Sequence, residues 1–187
     1  CAALLASAQE RFGTIDVLVN NAGAHHRGDV CSAGSQNIAA MVDVNLRAPL
    51  VLSALATPYL DQAGGGAIVM VGSLAGRTPM QGAATYAATK AGLRSFTYSF
   101  ADEVAERGIH VGVVSPGPID TGFIMDEIDE VEDIVFSQPM SSAAEVAAAV
   151  VSGARGEATE ICQPAFGGRL TTISYLFPGL RRRMRPK

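Results

Sequence analysis

Gly64-Gly65-Gly66-Ala67-Ile68-Val69-Met70-Val71-Gly72-Ser73 decides the fold. The three glycines make a turn, and residues 67–72 form an apolar run without polar alternation, the pattern of a strand buried on both faces. The flanks agree with that reading. Residues 36–59 read as a long helix containing Asp43-Val44-Asn45, and residues 83–107 as a second helix stopped by Gly108. Residues 109–114 are a further strand, broken by Ser115-Pro116-Gly117-Pro118. Further out, residues 2–12 read as a helix capped by Gly13. Residues 15–20 read as a strand buried on both faces, turned by Asn21-Ala22-Gly23. Residues 143–154 are a helix and residues 158–162 a last short strand. Strands alternating with helices of this length predict the α/β class, a doubly wound parallel sheet. Asn21, Ser73 and Pro116 all fall at carboxyl ends of strands, where such sheets bind ligands.

Composition is consistent with one domain: 187 residues, 48% hydrophobic and 17% charged, with few aromatics and no Trp. Cys1, Cys31 and Cys162 are odd in number and widely spaced, which argues against a disulfide framework and for a reducing compartment. No apolar run reads as a membrane span and no signal peptide is evident, so the expectation is a soluble, cytoplasmic protein. Net charge is −4, but Arg181, Arg182, Arg183, Arg185 and Lys187 hold five of the fourteen basic residues. The body before them is about −9, which excludes a general nucleic-acid binder. The first residue is Cys, which fits a processed chain or part of a longer one.

The chemistry centres on Tyr86-Ala87-Ala88-Thr89-Lys90, with Ser73 thirteen positions upstream. Spacing i, i+4 puts the phenol and the ammonium on one helix face. A neighbouring ammonium favours phenolate and lowers the phenol pKa, making Tyr86 a usable general acid or base. Lys90 could also donate hydrogen bonds to a diol such as a ribose, and Ser73 could hold a substrate oxygen beside Tyr86. Taken alone, a Tyr/Lys pair at this spacing is usually an exposed surface pair; Ser73 and the two strand-end loops reverse that reading.

With these pieces in order, the chain resembles the short-chain dehydrogenase/reductase family. The resemblance is carried by Asn20-Asn21-Ala22-Gly23, Asn45, Ser73, the Tyr86 to Lys90 motif and Pro116-Gly117-Pro118-Ile119-Asp120-Thr121. It implies a Rossmann-like fold, NAD or NADP as cofactor, and hydride transfer between an alcohol and a ketone, both small-molecule substrates. It implies Tyr86 as acid/base, Ser73 as the substrate-oxygen ligand and Lys90 as the ribose ligand. It also implies that Asn45 supports a water relay from a locally irregular helix. Asn21, Ala22 and Gly23 would border the adenosine side of the cofactor; Pro116, Gly117, Ile119 and Thr121 would shape the nicotinamide and phosphate side. A homo-oligomer through the helices carrying Asn45 and Tyr86 is implied as well.

The sequence departs from the family at its start. The family's strand, glycine-rich turn and helix, which hold the pyrophosphate, do not precede Asn21-Ala22-Gly23. Gly72-Ser73-Leu74-Ala75-Gly76 lacks the third glycine of such a turn, and its Ser73 belongs to the catalytic set. The residues that would select NAD or NADP are not in the chain. The expected division is a partial Rossmann-like catalytic domain over 1–168 and an apolar-then-basic tail over 169–187. An alternative function follows: a catalytically silent, truncated homologue that binds a full-length subunit. Without a first strand beside it, the strand at 15–20 is expected to present an open edge with uncovered faces.

Three weaker features remain. His25, His26 and Cys31 lack metal-ligand spacing, so no metal is expected. Asp126, Glu127, Asp129, Glu130, Glu132 and Asp133 read either as an acidic lid that disfavours anionic substrates or as a solvated loop. The tail reads as docked on a neighbouring subunit or as disordered, in preference to a contact for an anionic membrane surface.

Overall fold

The apolar run after Gly64 is the second of four strands in one parallel sheet, in the spatial order β1-β2-β3-β4. The computed structural model describes residues 1–120 and 140–179. The strands are β1 Val17–Asn20, β2 Gly66–Val71, β3 Ile109–Pro116 and β4 Glu160–Gln163. The helices are α1 Ala2–Phe12, α2 Ser35–Val42, α3 Ala48–Ala63, α4 Ala84–Val104, α5 Ala143–Ala154 and α6 Ala165–Leu176. A π-helical turn, Asp43–Arg47, joins α2 to α3.

Alternating side chains of the sheet feed two cores, as the pleat requires. Ile68, Met70, Val111 and Val113 meet Leu5 of α1, Leu60 of α3 and Leu93 and Phe100 of α4. On the other face Val69 and Val114 meet Val146 and Ala149 of α5. The chain is therefore wound on both sides of a parallel sheet, the α/β, Rossmann-like class that the sequence predicts. Ser142 caps α5, accepting from the Glu145 N–H at 3.2 Å, while Glu145 accepts from the Ser142 N–H at 2.7 Å. Gly65 shows why the turn into β2 is built of glycine. Its φ is +122°, and a β-carbon there would stand 2.5 Å from the Gly108 carbonyl oxygen.

This arrangement bears on three expectations. β1 is not buried on both faces: Leu18 packs on the α3 side, but Val17 and Val19 are 47% and 42% exposed. The physical reason is its place at the sheet edge, beyond the reach of α5. Second, the continuous helix through residues 35–63 is long and apolar enough to cross a membrane, although no such run stood out in the sequence. It lies against β1 and β2 and buries Ser53, Ala56, Thr57 and Leu60, the behaviour of a sheet-covering helix. Third, α6 runs unbroken across position 169, so the stretch to Leu176 is folded helix.

The exposed valines of β1 lead to an expected outcome. Light scattering of the purified chain should give a mass above that of a monomer, and replacing Val17 and Val19 by Lys should lower it. A sharp, concentration-independent melt of a monomer would contradict this.

Candidate active site

β2 delivers its last residue, Val71, and then Ser73 to the carboxyl edge of the sheet. Gly72 is pressed against β3, where a β-carbon would come within 2.8 Å of Val113 Cγ2. The Ser73 hydroxyl accepts from the Ala75 N–H at 3.1 Å and starts a 3-10 turn, Leu74–Arg77. That turn folds back on α4, and Gly76 is the point of contact. A β-carbon on Gly76 would lie 2.6 Å from the Lys90 carbonyl carbon and 2.8 Å from its oxygen. The glycines around Ser73 therefore serve close packing, and the sequence-level rejection of a phosphate loop here has a structural reason.

α4 presents Tyr86 and Lys90 to this edge. Tyr86 is half-buried and hydrogen-bonded to Ser73. Lys90 is buried, and its Nζ donates to the Val71 carbonyl at 2.8 Å. The Nζ lies 5.8 Å from the centre of the Tyr86 ring. Asn45, in the π-helical turn, is fully buried. Its Nδ2 donates to the Ala24 carbonyl at 2.7 Å and to Thr89 Oγ1 at 3.3 Å, while its Oδ1 accepts from the Ala24 N–H at 2.8 Å. Thr89 in turn donates to the Tyr86 carbonyl at 2.7 Å. A side chain on Gly23 would stand 3.5 Å from Asn45 Oδ1 and 3.7 Å from Lys90 Nζ. Asn45, Ser73, Tyr86, Lys90 and Gly23 are thus brought together, with Asn21 and Ala22 exposed just before Gly23.

The remaining expected positions lie nearby or outside the description. Pro116 closes β3 opposite Gln163, and Gly117 donates its N–H to the Gln163 carbonyl at 2.7 Å. Ile119 packs into the α5-side core and bridges to Ser141. Thr121 and the acidic stretch of 126–133 fall outside the described residues.

Electrostatics correct one expectation. Burial pushes the Tyr86 phenol above the ordinary tyrosine value, while the Ser73 bond and the charge of Arg27 pull the other way without winning. Lys90 is itself brought down to about 8 by burial, and its ammonium is turned to the Val71 carbonyl. Its proximity therefore does not produce the lowered phenol pKa that the spacing predicts. At neutral pH Tyr86 is a protonated donor.

Two features were not found from sequence. The His25 ring stacks on Tyr86, with centroids 4.2 Å apart and planes at 19°. Burial first, then the charges of Arg27 and His26, bring His25 down to about 4, so it is neutral at physiological pH. Among the described residues no three His, Cys, Asp or Glu side chains gather as a metal site. The second feature is Glu160 at the start of β4. Its carboxylate accepts from Arg94 Nη2 at 2.7 Å, Tyr98 Oη at 2.9 Å and Ser115 Oγ at 2.9 Å, and also from Arg77. Burial opposes the charged form, but these bonds prevail and hold Glu160 down at about 2. Arg77 ends the turn after Ser73 and Arg94 lies one turn beyond Lys90, so Glu160 ties both site elements to β4.

The carboxyl edge of the parallel sheet thus gathers a serine, a tyrosine and a lysine. The chain belongs to the short-chain dehydrogenase family, which it matches over residues 1–132. It is 34% identical over 161 residues to a ketoacyl reductase, HetN, of Nostoc sp., covering 85% of this chain and 55% of that protein. It is 34% identical over 162 residues to the 3-oxoacyl-[acyl-carrier-protein] reductase FabG of Salmonella typhimurium, covering 84% of this chain and 66% of that one. Among solved structures, acetoin dehydrogenase YohF of Salmonella typhimurium superimposes with a TM-score of 0.73 at 26% identity, over 86% of this chain and 68% of that one. The chain thus spans about half to two thirds of the length of the curated relatives it matches.

The Glu160 cluster yields a pH prediction. A carboxylate held down at about 2 stabilises the fold fully above its ordinary value near 4.5, and this stabilisation is lost as pH falls toward 2. Glu160→Gln should cost on the order of 2–3 kcal/mol at pH 7 and flatten the loss of stability between pH 4.5 and 2. Urea midpoints measured across that range check both.

Proposed function

We propose that this chain carries the proton-transfer and nicotinamide-facing part of an NAD- or NADP-dependent oxidoreductase that interconverts a ketone and a secondary alcohol. The observation that supports it most is the Ser73–Tyr86 hydrogen bond, one helical turn from a buried Lys90. Two hydroxyls there can converge on one substrate oxygen. Ser73 orients that oxygen, and Tyr86, protonated at rest, donates the proton as a carbonyl becomes an alcohol. In the reverse direction the phenolate takes the proton back, and the Lys90 ammonium stabilises it. The reductase names of HetN and FabG favour the carbonyl side as substrate.

The residues present fit the nicotinamide end of the cofactor, which supplies the hydride when bound. The Gly23 backbone stands open beside Lys90 Nζ and Asn45, leaving room that a side chain would fill. Lys90 and Gly23 would hold the ribose there, with Pro116, Gly117 and Ile119 on the β3 side and Thr121 following them. Asn21 and Ala22 would face the adenosine side. Asn45 acts first as a positioning residue, because its carboxamide is committed to Ala24 and Thr89. Its relay role rests on its nearness to Lys90 across Gly23. Assembly through the helices bearing Asn45 and Tyr86 is supported by exposed Val42, Val44, Val51, Leu55 and Tyr98.

A second reading, a catalytically silent partner of a full-length subunit, draws on the exposed edge strand β1. The two readings differ in Tyr86. Tyr86→Phe should lower ketone-dependent oxidation of NADH or NADPH by about 10²–10⁴-fold, while nicotinamide fluorescence shows cofactor binding unchanged. Turnover within a few-fold of the parent would remove Tyr86 from this role, and no turnover by the parent with either cofactor would favour the silent partner.

A further inference from the structure

The segment that follows β1 is tied down at two points. The Asn45 carboxamide takes both backbone groups of Ala24, the N–H at 2.8 Å and the carbonyl at 2.7 Å. Four residues on, the Gly28 N–H donates to the Gly82 carbonyl at 2.9 Å, two residues before α4 begins. His25 comes directly after the first tie, and its ring is laid on that of Tyr86. The centroids are 4.2 Å apart and the planes 19° from parallel. That is closer than the roughly 4.5–7 Å of ordinary aromatic pairs.

The Ser73 bond holds Tyr86 at its oxygen only. A tyrosine ring turns easily about its Cβ–Cγ axis, and Oη lies on that axis. Conjugation keeps the phenol O–H in the plane of the ring, so a turn of the ring swings the proton away from its acceptor while Oη stays where it is. A second ring flat against the first stops the turn, and it also keeps water from the face it covers. Neutrality suits the contact: burial, then the charges of Arg27 and His26, hold His25 down at about 4, so no cation is pressed on the phenol at physiological pH. We propose that His25 is a positioning residue for the proton transfer: its ring fixes the plane of the Tyr86 ring and so aims the phenol O–H at the oxygen that Ser73 also contacts. The inference rests on the reading of Tyr86 as proton donor. Asn45 acquires a purpose with it, since the carboxamide that grips Ala24 sets the residue next to it on the catalytic ring.

His25→Ala and His25→Phe test this together. Lys90 on α4, and His26 and Arg27 beside His25, stay in place in both variants, so a change in the phenol reports the stacked ring. Ionisation of Tyr86 is read by ultraviolet difference titration of each variant against the same variant carrying Tyr86→Phe. Turnover is read as ketone-dependent oxidation of NADH or NADPH. His25→Ala should admit water to the phenol, bring its ionisation down toward the ordinary value near 10, and lower kcat about tenfold with cofactor affinity unchanged. His25→Phe keeps a flat ring and should restore the ionisation, with kcat within about threefold of the parent. Unchanged ionisation in His25→Ala would overturn the proposal. So would a kcat for His25→Phe about tenfold below the parent, which would assign the effect to the imidazole nitrogens. That second arm decides alone if His25→Ala does not fold. The titration needs no turnover, so it reads the stack even in a catalytically silent chain. Full turnover by Tyr86→Phe would instead remove the reading on which the proposal rests, and leaves the titration unaffected.

Discussion

A buried ammonium must either be hydrogen-bonded or give up its proton, and the site is built around that constraint. Lys90 meets it by donating to the carbonyl of Val71, the last residue of the central strand. One bond thereby fixes α4 against the end of β2. It sets the distance between Tyr86, one turn earlier on the helix, and Ser73, two residues beyond the strand. The bond also costs Tyr86 some of its neighbour's influence, because the ammonium points at the strand and its pKa is lowered to about 8. Burial then dominates the phenol, which rests in its protonated form.

The surrounding structure holds this arrangement from three sides. Gly76 lets the turn after Ser73 lie directly on the backbone of α4 at Lys90. The π-helical turn aims Asn45 inward, where its carboxamide holds the backbone at Ala24 and reaches Thr89 on α4. Glu160 collects Arg77 from the Ser73 turn, Arg94 and Tyr98 from α4, and Ser115 from β3. A carboxylate with that many donors is costly to disturb, because removing it leaves two guanidinium groups without their anion. Arg77 extends the same network to Thr171 and Thr172 of α6.

The order of helices and strands was legible in the sequence because a parallel sheet writes its strands as unbroken apolar runs, here preceded by the helix-ending glycines Gly13, Gly64 and Gly108 and, for β3, closed by Pro116. The meeting of Ser73, Tyr86 and Lys90 was legible because the i, i+4 pair and a strand end leave only one edge for them. Exposure on β1 was expected from its open edge, although the apolar run by itself does not state whether a second layer covers it. The Glu160 cluster leaves no motif either: its partners lie 45 to 83 residues away, on three other elements. Nor does the local pattern show the stacking of His25 on Tyr86. Both depend on packing between distant segments. The phenol pKa was misread for a related reason, since spacing reports the neighbour but not the burial.

The central claim is that Tyr86 rests as a protonated donor, bonded to Ser73 in a half-buried site where burial outweighs Lys90. Ultraviolet difference titration of the chain against its Tyr86→Phe variant measures this directly by isolating one phenol among four. The account predicts that Tyr86 ionises above the ordinary tyrosine value near 10. Ionisation well below that value would contradict it, and would show that the ammonium of Lys90 governs the phenol after all.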